Sequence, residues 1–241
     1  MSRAVPAAAA LAAALALAPA PALAQTESPR EGSFEIGAGP YRPDVDSEFT
    51  ASPGPYASTF GTGRRWALRI GYARLLYTGN YGSLELGLRS GFFRASGHGF
   101  VVDATGAPTT TKSKDPTTFS VVPTSLTIGY RFDRFLEKWW IPLAPYGKVA
   151  LERYNWWVTE GSGKTAEKGA TNGWSVTGGV ALLLDMIDSS LAREMDHDSG
   201  INDTYLYFDV TRSHVNDFGS SKSWDLSQKS LLYSYGLLFV F

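Results

Sequence analysis

The C-terminal stretch Leu231-Leu-Tyr-Ser-Tyr-Gly-Leu-Leu-Phe-Val-Phe241 decides the fold class of this chain. Counted back from Phe241, every second residue is large and apolar or aromatic, whereas the residues between them are smaller and partly polar. A period of two residues predicts an extended strand whose two faces meet different surroundings. So apolar an end is unusual for a soluble protein, because chain termini usually fray into water. A buried edge strand of a soluble sandwich is the alternative.

The N-terminus predicts export. Arg3 precedes a small-residue apolar run, residues 4–20, and Pro21-Ala-Leu-Ala-Gln25 follows it. A positive charge, an apolar core and an Ala-x-Ala site are typical of a secretory signal peptide, so we expect cleavage after Ala24. The chain then divides into a signal peptide, residues 1–24, and one mature domain, residues 25–241. No mature segment reaches the length of about 18 apolar residues that a membrane helix needs.

Composition narrows the choice of partners. The chain has no cysteine, which excludes disulfides and a lipid anchor through cysteine. Its 22 basic and 23 acidic residues give a net charge of −1, so no nucleic-acid partner is expected. An exported chain of this kind, rich in aromatic residues and glycine, is either a soluble periplasmic or secreted protein or an outer-membrane barrel.

Eight segments alternate apolar and polar residues and are predicted as strands. They are residues 33–41, 65–77, 83–94, 119–132, 143–158, 174–184, 204–213 and 224–241. Two stretches follow helical spacing instead, and both lie between strands. Their apolar residues are Phe132, Phe135, Leu136 and Trp139 in the first, and Ile187, Leu191 and Met195 in the second. We expect both short helices to cover the lower mouth of a barrel or the membrane edge beside it.

The connections predict the topology. Long polar loops, residues 42–64, 95–118 and 159–173, alternate with short or helix-containing connections, and the strand count is even. This pattern predicts an all-β fold, an eight-stranded antiparallel up-and-down transmembrane β-barrel with two short periplasmic helices. A wider barrel of ten or twelve strands stays open, because Phe100-Val-Val102 or the loop after Tyr41 could add a hairpin.

Charged residues within the predicted strands fall on the face opposite the apolar one. A charge facing lipid at the midplane costs about 2–4 kcal/mol, so these side chains are predicted to point into the lumen. The lumen of an eight-stranded barrel is just wide enough for side chains to fill it. The predicted lumen network consists of Glu35, Arg69, Glu85, Arg89, Arg131, Lys148, Glu152 and Asp209. Four positive and four negative groups predict a closed, salt-bridged interior; a soluble lipocalin-like barrel would place Leu and Ile inside instead.

Tryptophans concentrate at the predicted strand ends, as in the aromatic belts of membrane barrels. Two belts are predicted from Trp66, Trp139, Trp140, Trp156, Trp157, Trp174 and Trp224, with Trp139 and Trp140 on the periplasmic side. A terminal strand that ends in Phe resembles the C-terminal signal that barrel assembly machinery recognises. The matching residues are Tyr233, Tyr235, Leu237, Phe239 and Phe241.

The mature chain as a whole resembles the small outer-membrane β-barrel proteins of the OmpA-barrel and OmpX type. Within them it is similar to a bacterial barrel family through three stretches: Gly39-Pro-Tyr-Arg-Pro-Asp-Val-Asp-Ser-Glu48, Ile141-Pro-Leu-Ala-Pro-Tyr-Gly-Lys148, and residues 191–206. The resemblance implies an outer-membrane location and a barrel fold, and no established activity. It makes outer-membrane lipid and the assembly machinery the expected partners of a monomer.

Three functions remain from the sequence. The favoured one is a structural or surface-interaction role with a closed polar lumen and no cofactor. A narrow pore or transporter is the second. The third is a lipid-modifying enzyme at the rim, which would need a histidine to activate a hydroxyl or water. Its candidates are Ser213 and His214 beside Asp217, together with His98.

Two acidic groups could hold calcium, because carboxylate oxygens are its preferred ligands. They are Asp44, Asp46 and Glu48, and the group Asp196, Asp198, Asn202 and Asp203. The second group lacks the calcium-loop spacing, because Gly200 stands at its fifth position instead of its sixth. Turn formation by Asp is the favoured interpretation of both.

Overall fold

The alternating segments pair with one another in a computed structural model that describes residues 29–103, 105, 108–187, 189–220, 223–228 and 230–241. In chain order the strands are β1 (Gly32–Tyr41), β2 (Arg65–Gly79), β3 (Gly82–Gly97), β4 (Phe100–Val102), β5 (Pro108–Lys112), β6 (Thr117–Arg131), β7 (Leu143–Thr159), β8 (Thr165–Leu183), β9 (Asp203–His214) and β10 (Leu232–Val240). All except β4 and β5 close into one antiparallel barrel, in which neighbours in the chain are neighbours in the sheet. The predicted eight-stranded up-and-down barrel is confirmed. The predicted signal peptide lies outside the described residues.

The barrel has two different ends. At the terminus end, β1 begins and β10 finishes, and two helices cover the turns: α2 (Arg134–Trp139) and α3 (Ser189–Ser199). At the loop end lie the longer connections, which contain α1 (Pro55–Phe60) and two short 3-10 helices, Val45–Glu48 and Asp217–Gly219. Both predicted helices are present, but they begin after the first apolar residue predicted for each, Phe132 and Ile187. The sequence did not predict α1, because six residues show no helical period.

No helix in the described part of the chain combines the length and the apolar character needed to cross a membrane.

The first and last strands close the barrel at a point where they approach unusually closely. Gly37 lies opposite Gly236, and a Cβ atom on Gly236 would fall 2.0 Å from the carbonyl oxygen of Ile36. Only glycine fits so near a backbone. Below this point the backbone amide of Phe241 donates to the Gly32 oxygen at 3.0 Å, and Gly32 donates back at 2.7 Å. The apolar C-terminal strand is therefore held to its final residue.

Two of the predicted boundaries are wrong. Residues 165–173 form the first half of β8, although their polar sequence predicted a loop; they pair with β7 from Thr165 to Gly173, beyond the last pair that β8 makes with β9. Residues 224–228 lie outside β10 and fold across the loop end, where Leu226 is fully buried. In both places pairing and packing with distant residues override the local pattern.

The wider barrel is also excluded. Phe100 pairs with Lys112 in the hairpin of β4 and β5, but this hairpin forms a separate two-stranded sheet at the loop end. β3 pairs directly with β6, from Ser83 opposite Arg131 up to Gly97 opposite Thr117. The barrel wall therefore has eight strands, and the open ten- or twelve-stranded alternatives are wrong.

Candidate functional site

The outer wall of the barrel is an apolar band. Side chains at alternate strand positions point outward and remain exposed in the isolated chain, for example Leu151 at 61% and Ile70 at 50%. The intervening positions point inward and are small, polar, charged or aromatic. Exposing so continuous an apolar face to water would be unfavourable, whereas contact of this face with lipid hydrocarbon is favourable. The predicted assignment of faces is thus observed on every barrel strand.

Four of the predicted lumen residues meet at the centre of the barrel, and we call them the central ion network: Glu35, Arg89, Lys148 and Asp209. Glu35 forms ion pairs with the guanidinium of Arg89 and, at 2.7 Å, with the ammonium of Lys148. Arg89 also lies 3.9 Å from Asp209, which is almost completely buried. Two positive and two negative groups balance, as buried charges require.

A second ion cluster lies nearer the terminus end. The Arg131 guanidinium contacts Glu85 at 3.0 Å and Asp133 at 2.8 Å, and Ser83 donates to Asp133 at 2.9 Å. Asp133 was missed, because it lies one residue beyond the predicted strand of residues 119–132. Its position directly after a strand that ends on an inward Arg131 was the available signal.

The remaining two predicted lumen residues also point inward. Glu152 accepts a hydrogen bond from Ser175 at 2.6 Å, and Arg69 lies 3.5 Å from the Ser234 hydroxyl. Both line a cavity of about 10 Å³, and another of about 10 Å³ adjoins Glu35. Such volumes hold about one water molecule. The structure thus brings all eight residues to the inner face; their contribution to stability stays a prediction.

The loop half of the lumen contains a large apolar and aromatic cluster, which the sequence did not predict. We call this filling the loop-end cluster; its buried members are Tyr41, Val45, Tyr56, Ala67, Phe93, Ala95, Phe119, Val121, Tyr154, Trp156, Val215, Leu226 and Leu232. Phe119 is only 1% exposed. Strand residues supply the walls, and the loops after β1 and β9 supply the cover. The lumen is therefore closed by hydrocarbon above the central ion network.

Of the predicted belt tryptophans, Trp156 belongs to this cluster and Trp224 packs against it, so the belt prediction is wrong for both. Trp156 points inward and is 5% exposed, and its indole stacks on Trp224 with centroids 4.2 Å apart and planes at 11°. Both rings also contact Phe119. The prediction failed because inward parity in β7 continues without a bulge as far as Val158, and because Trp224 lies in a loop that folds over the mouth.

The other belt tryptophans point outward from the barrel or lie exposed at its terminus end. Trp66 is outward and 57% exposed, near Tyr235, and Trp174 is outward and stacks on His214 at 4.6 Å. Trp157 follows the inward Trp156 and so has outward parity. Trp139 and Trp140 are exposed at the terminus end. Contact of these side chains with a bilayer interface stays a prediction.

The C-terminal signal residues share one face. Tyr233, Tyr235, Leu237 and Phe239 alternate with the buried Leu232, Ser234, Leu238 and Val240, and so point outward from β10. Phe241 follows with the same parity, and its ring lies 6.2 Å from Tyr72 on the neighbouring face of β2. The residues predicted to be read by assembly machinery are therefore accessible from the side of the barrel.

A lid formed by the first long loop covers the loop-end cluster. Asp46 accepts backbone hydrogen bonds from Tyr56 at 2.7 Å and Ala57 at 3.1 Å, which begin α1, and forms an ion pair with Arg42 at 2.8 Å. Tyr41 donates its hydroxyl to the Leu226 oxygen at 2.5 Å and so ties the strand to the last loop. Burial raises the pKa of the Tyr56 phenol to about 12, so it stays neutral.

Between this lid and the barrel rim lies an apolar cleft of about 180 Å³. Its lining residues are Val45, Phe49, Pro55, Tyr56, Thr59, Phe60, Thr117, Phe119, Val158 and Trp224. Its size is close to that of a single aromatic ring, and its lining offers almost no polar atoms. It is an incompletely packed region of the cover.

The rim-enzyme candidates are not assembled. Ser213 and His214 are consecutive residues of β9 and point to opposite faces; the Ser213 hydroxyl is buried inside, whereas His214 stacks on Trp174 outside. Asp217 accepts from Asn172 at 3.0 Å, and His98 contacts the Ser113 carbonyl. A nucleophile and its base must lie within hydrogen-bond reach, which strand alternation prevents here.

The acidic groups are engaged locally. Asp46 accepts a backbone hydrogen bond at the start of α1 and forms an ion pair with Arg42. Partial burial raises the pKa of the neighbouring Glu48 carboxyl. In the second group, Asp198 contacts His197 at 2.9 Å and Asp203 forms an ion pair with Arg30 at 3.1 Å. Among the described residues, no three His, Asp or Glu side chains are grouped closely enough to hold a metal ion.

Comparisons with known proteins find structural similarity without sequence similarity. Scans of family models and of curated protein sequences find no match. Among solved structures, the chain is similar to OprG from Pseudomonas aeruginosa, with 10% identity over 89% of this chain and 97% of that one, and a TM-score of 0.46. It is also similar to the N-terminal barrel domain of OprF from P. aeruginosa, with 14% identity over 88% and 100% and a TM-score of 0.41. Ail of Yersinia pestis gives 10% over 89% and 98%, with a TM-score of 0.40.

The barrel itself carries the assignment of location. A closed sheet leaves no edge to be satisfied by water, its outward band is apolar, and its charges point inward. These are the requirements for strands that cross a lipid bilayer, and they are the reverse of a soluble ligand-binding barrel. The protein is an outer-membrane β-barrel, as the sequence predicted.

Proposed function

We propose that this protein is a monomeric surface barrel of the outer membrane, with a closed lumen and a structural or surface-interaction role. The observation that carries the proposal is the filling of the lumen. The central ion network and the loop-end cluster occupy successive layers, and the cavities beside the charges hold about 10 Å³ each. A hydrated ion needs a continuous wide path, so this interior supports closure over conduction.

Planar-bilayer recording tests the closed lumen. The purified, refolded protein should give no steady single-channel steps. A variant with Arg89→Ala and Trp156→Ala removes bulk from both layers, so it should conduct and show that the assay detects an open lumen. Steady steps from the wild-type protein, at the size shown by the opened variant, would replace this proposal with the narrow-pore function.

The C-terminal residues support a second part of the proposal, recognition by barrel assembly machinery. Deletion of Phe241 removes an outward aromatic ring and also the backbone groups that bond to Gly32. The substitution Phe241→Ala keeps those backbone groups and is the sharper variant. It should refold in detergent with the wild-type shift in gel mobility on heating, yet fail to accumulate in outer membranes of cells. Normal accumulation in cells would contradict a recognition role for the ring.

A further inference from the structure

Charges on the barrel strands are sorted by sign as well as by face. Within the described barrel strands, every acidic residue has inward parity; these are Glu35, Glu85, Glu152, Glu167, Asp203 and Asp209. Every charged residue with outward parity is basic; these are Arg74, Arg94, Arg153, Lys168 and Arg212. Protection from lipid explains inward charge of either sign, but it does not explain why the outer face accepts cations alone.

Three of these outward cations, together with Arg64 directly before β2, occupy one position relative to the apolar band. On four strands an arginine lies two residues further toward the loop end than an outward apolar side chain. The pairs are Trp66 and Arg64 beside β2, Phe92 and Arg94 on β3, Leu151 and Arg153 on β7, and Val210 and Arg212 on β9. We call Arg64, Arg94, Arg153 and Arg212 the outer arginines. They mark the loop-side margin of the band on half of the barrel strands.

Within the part of the chain that the structure describes, no acidic side chain forms an ion pair with these guanidinium groups. Within the described residues, Arg94 and Arg212 take part in no ion pair. Arg153 donates to the neutral Asn172 side chain at 3.0 Å, and Arg64 donates to the Ser230 hydroxyl. The nearest acid in this chain of contacts is Asp217, which Asn172 reaches at 3.0 Å. All four outer arginines are exposed.

Two of the outer arginines are placed to act together. β2 and β3 are adjacent, and Ala67 lies opposite Phe93, so the register continues with Arg94 beside Trp66 and diagonal to Arg64. Diagonal neighbours across antiparallel strands are about 7–8 Å apart, within the reach of two long side chains converging on one anion. Arginine presents a planar fork of donors that matches phosphate geometry.

We propose that the outer arginines bind phosphate groups carried by an anionic glycolipid of the outer leaflet. This inference rests on the proposed surface barrel, with its loop end outside the cell. A lipid whose acyl chains lie against the apolar band places its headgroup phosphates at the margin where the outer arginines stand. The outer arginines complement the negative charge of a phosphate, and the apolar band beside them can contact acyl chains. A phosphate carried by a lipid is therefore favoured over free phosphate, which has no apolar part to contact the band.

Titration of the refolded protein in neutral detergent micelles tests the proposal, with lipid A as the probe and native mass spectrometry as the readout. The wild type should retain lipid A, and dephosphorylated lipid A should bind much more weakly. The fourfold variant Arg64→Gln, Arg94→Gln, Arg153→Gln, Arg212→Gln should lose affinity by about ten-fold or more, because several exposed charge contacts are removed together. The matched fourfold change to Lys keeps the charge and should retain most of the binding.

Arg74→Gln is the positional control, because Arg74 has outward parity at the opposite end of β2 and should not affect lipid A binding. Equal binding by the fourfold Gln variant and the wild type would overturn the proposal, as would equal binding of phosphorylated and dephosphorylated lipid. Displacement of lipid A by millimolar inorganic phosphate would overturn the assignment to a lipid. A heat-dependent mobility shift, measured on each variant, separates these outcomes from loss of the barrel, which would instead contradict the proposed function.

Discussion

The two halves of the lumen are built from the same strands with the same inward parity, yet their fillings differ. Toward the loop end the interior contains aromatic rings, with Phe119, Trp156 and Trp224 in mutual contact. In the middle it contains the central ion network, where Glu35 meets two cations. The difference shows that inward parity selects residues that fit the space and does not by itself select polarity.

The different surroundings of the two layers explain why their fillings differ. Above the loop-end cluster, the lid with α1 and the folded segment around Leu226 exclude water, so burying aromatic surface there gains the full hydrophobic free energy. The central layer is walled by strands alone, and the side chains on the outer face of those strands are apolar and exposed. Charges there are stable only if they face inward and balance one another.

The largest expected effect tests the apolar half. Phe119→Ala removes a buried ring that contacts Tyr56, Phe60, Trp156 and Trp224, so it should lower the free energy of unfolding by about 4 kcal/mol. Urea unfolding in lipid vesicles measures the change. Phe119→Leu keeps most of the volume and should cost clearly less. A loss below about 1 kcal/mol for the alanine variant would mean that this half is not a packed core.

Glu35→Gln tests the charged half and should cost about 3 kcal/mol in the same unfolding experiment, because it leaves two buried cations with one acid. The double variant Glu35→Gln, Lys148→Met leaves Arg89 with Asp209 as a balanced pair, so it should recover part of the loss. If the double variant is less stable than the single one, charge balance is not what stabilises the layer.

Asp46→Ala tests whether Asp46 holds the lid in place over the loop-end cluster. It removes the acceptor for the first amides of α1 and the partner of Arg42, so we expect a loss of about 1–2 kcal/mol. Limited proteolysis of the segment 42–64 should become faster while the barrel core stays protected. Asp46→Asn keeps an acceptor oxygen and should show a smaller change. Unchanged proteolysis in the alanine variant would contradict the role of Asp46 as the anchor of the lid.

The smallest effect concerns the turn at the terminus end. Burial raises the pKa of Asp185 above its ordinary value of 3.8, although its carboxylate accepts from the Thr204 amide at 3.2 Å. Because the pKa is raised in the folded state, the folded protein binds this proton more tightly than the unfolded chain does. The part of the folding stability that is present below the ordinary pKa is therefore lost as the pH rises through the raised pKa. Asp185→Asn should therefore match the wild type at pH 3 and exceed its stability slightly at pH 8. Equal stabilities at both values would show that this carboxyl is not penalised by folding.

Much of the fold was predictable, because alternation is a local property that each strand displays by itself. Phe34, Ile36 and Ala38 against Glu35, Gly37 and Gly39 already separate lipid face from lumen face. Prediction failed where the pattern depends on distant partners. The polar residues 165–173 form a strand because they pair with β7. Trp224 packs against the loop-end cluster instead of lying in a belt, because its loop crosses the mouth of the barrel.

The candidate site divides in the same way. The inward positions of the eight lumen charges could be derived from parity, but their partners could not. Glu35 joins Arg89 and Lys148, which stand 54 and 113 residues away in the chain, and only the tilt and closure of the barrel bring them to one depth. Asp133 and Asp46 acquire their roles in the same manner, as neighbours of Arg131 and of the first turn of α1.

The sequence by itself determined the barrel, its strand faces, the inward direction of the eight lumen charges and the apolar end of β10, because a two-residue period specifies side-chain direction without any tertiary contact. The tertiary structure alone decided which inward residues share a layer, which tryptophans are buried, and where the loops seal the mouth. Those outcomes depend on strand stagger around a closed sheet and on loops that return over it, so no local pattern records them.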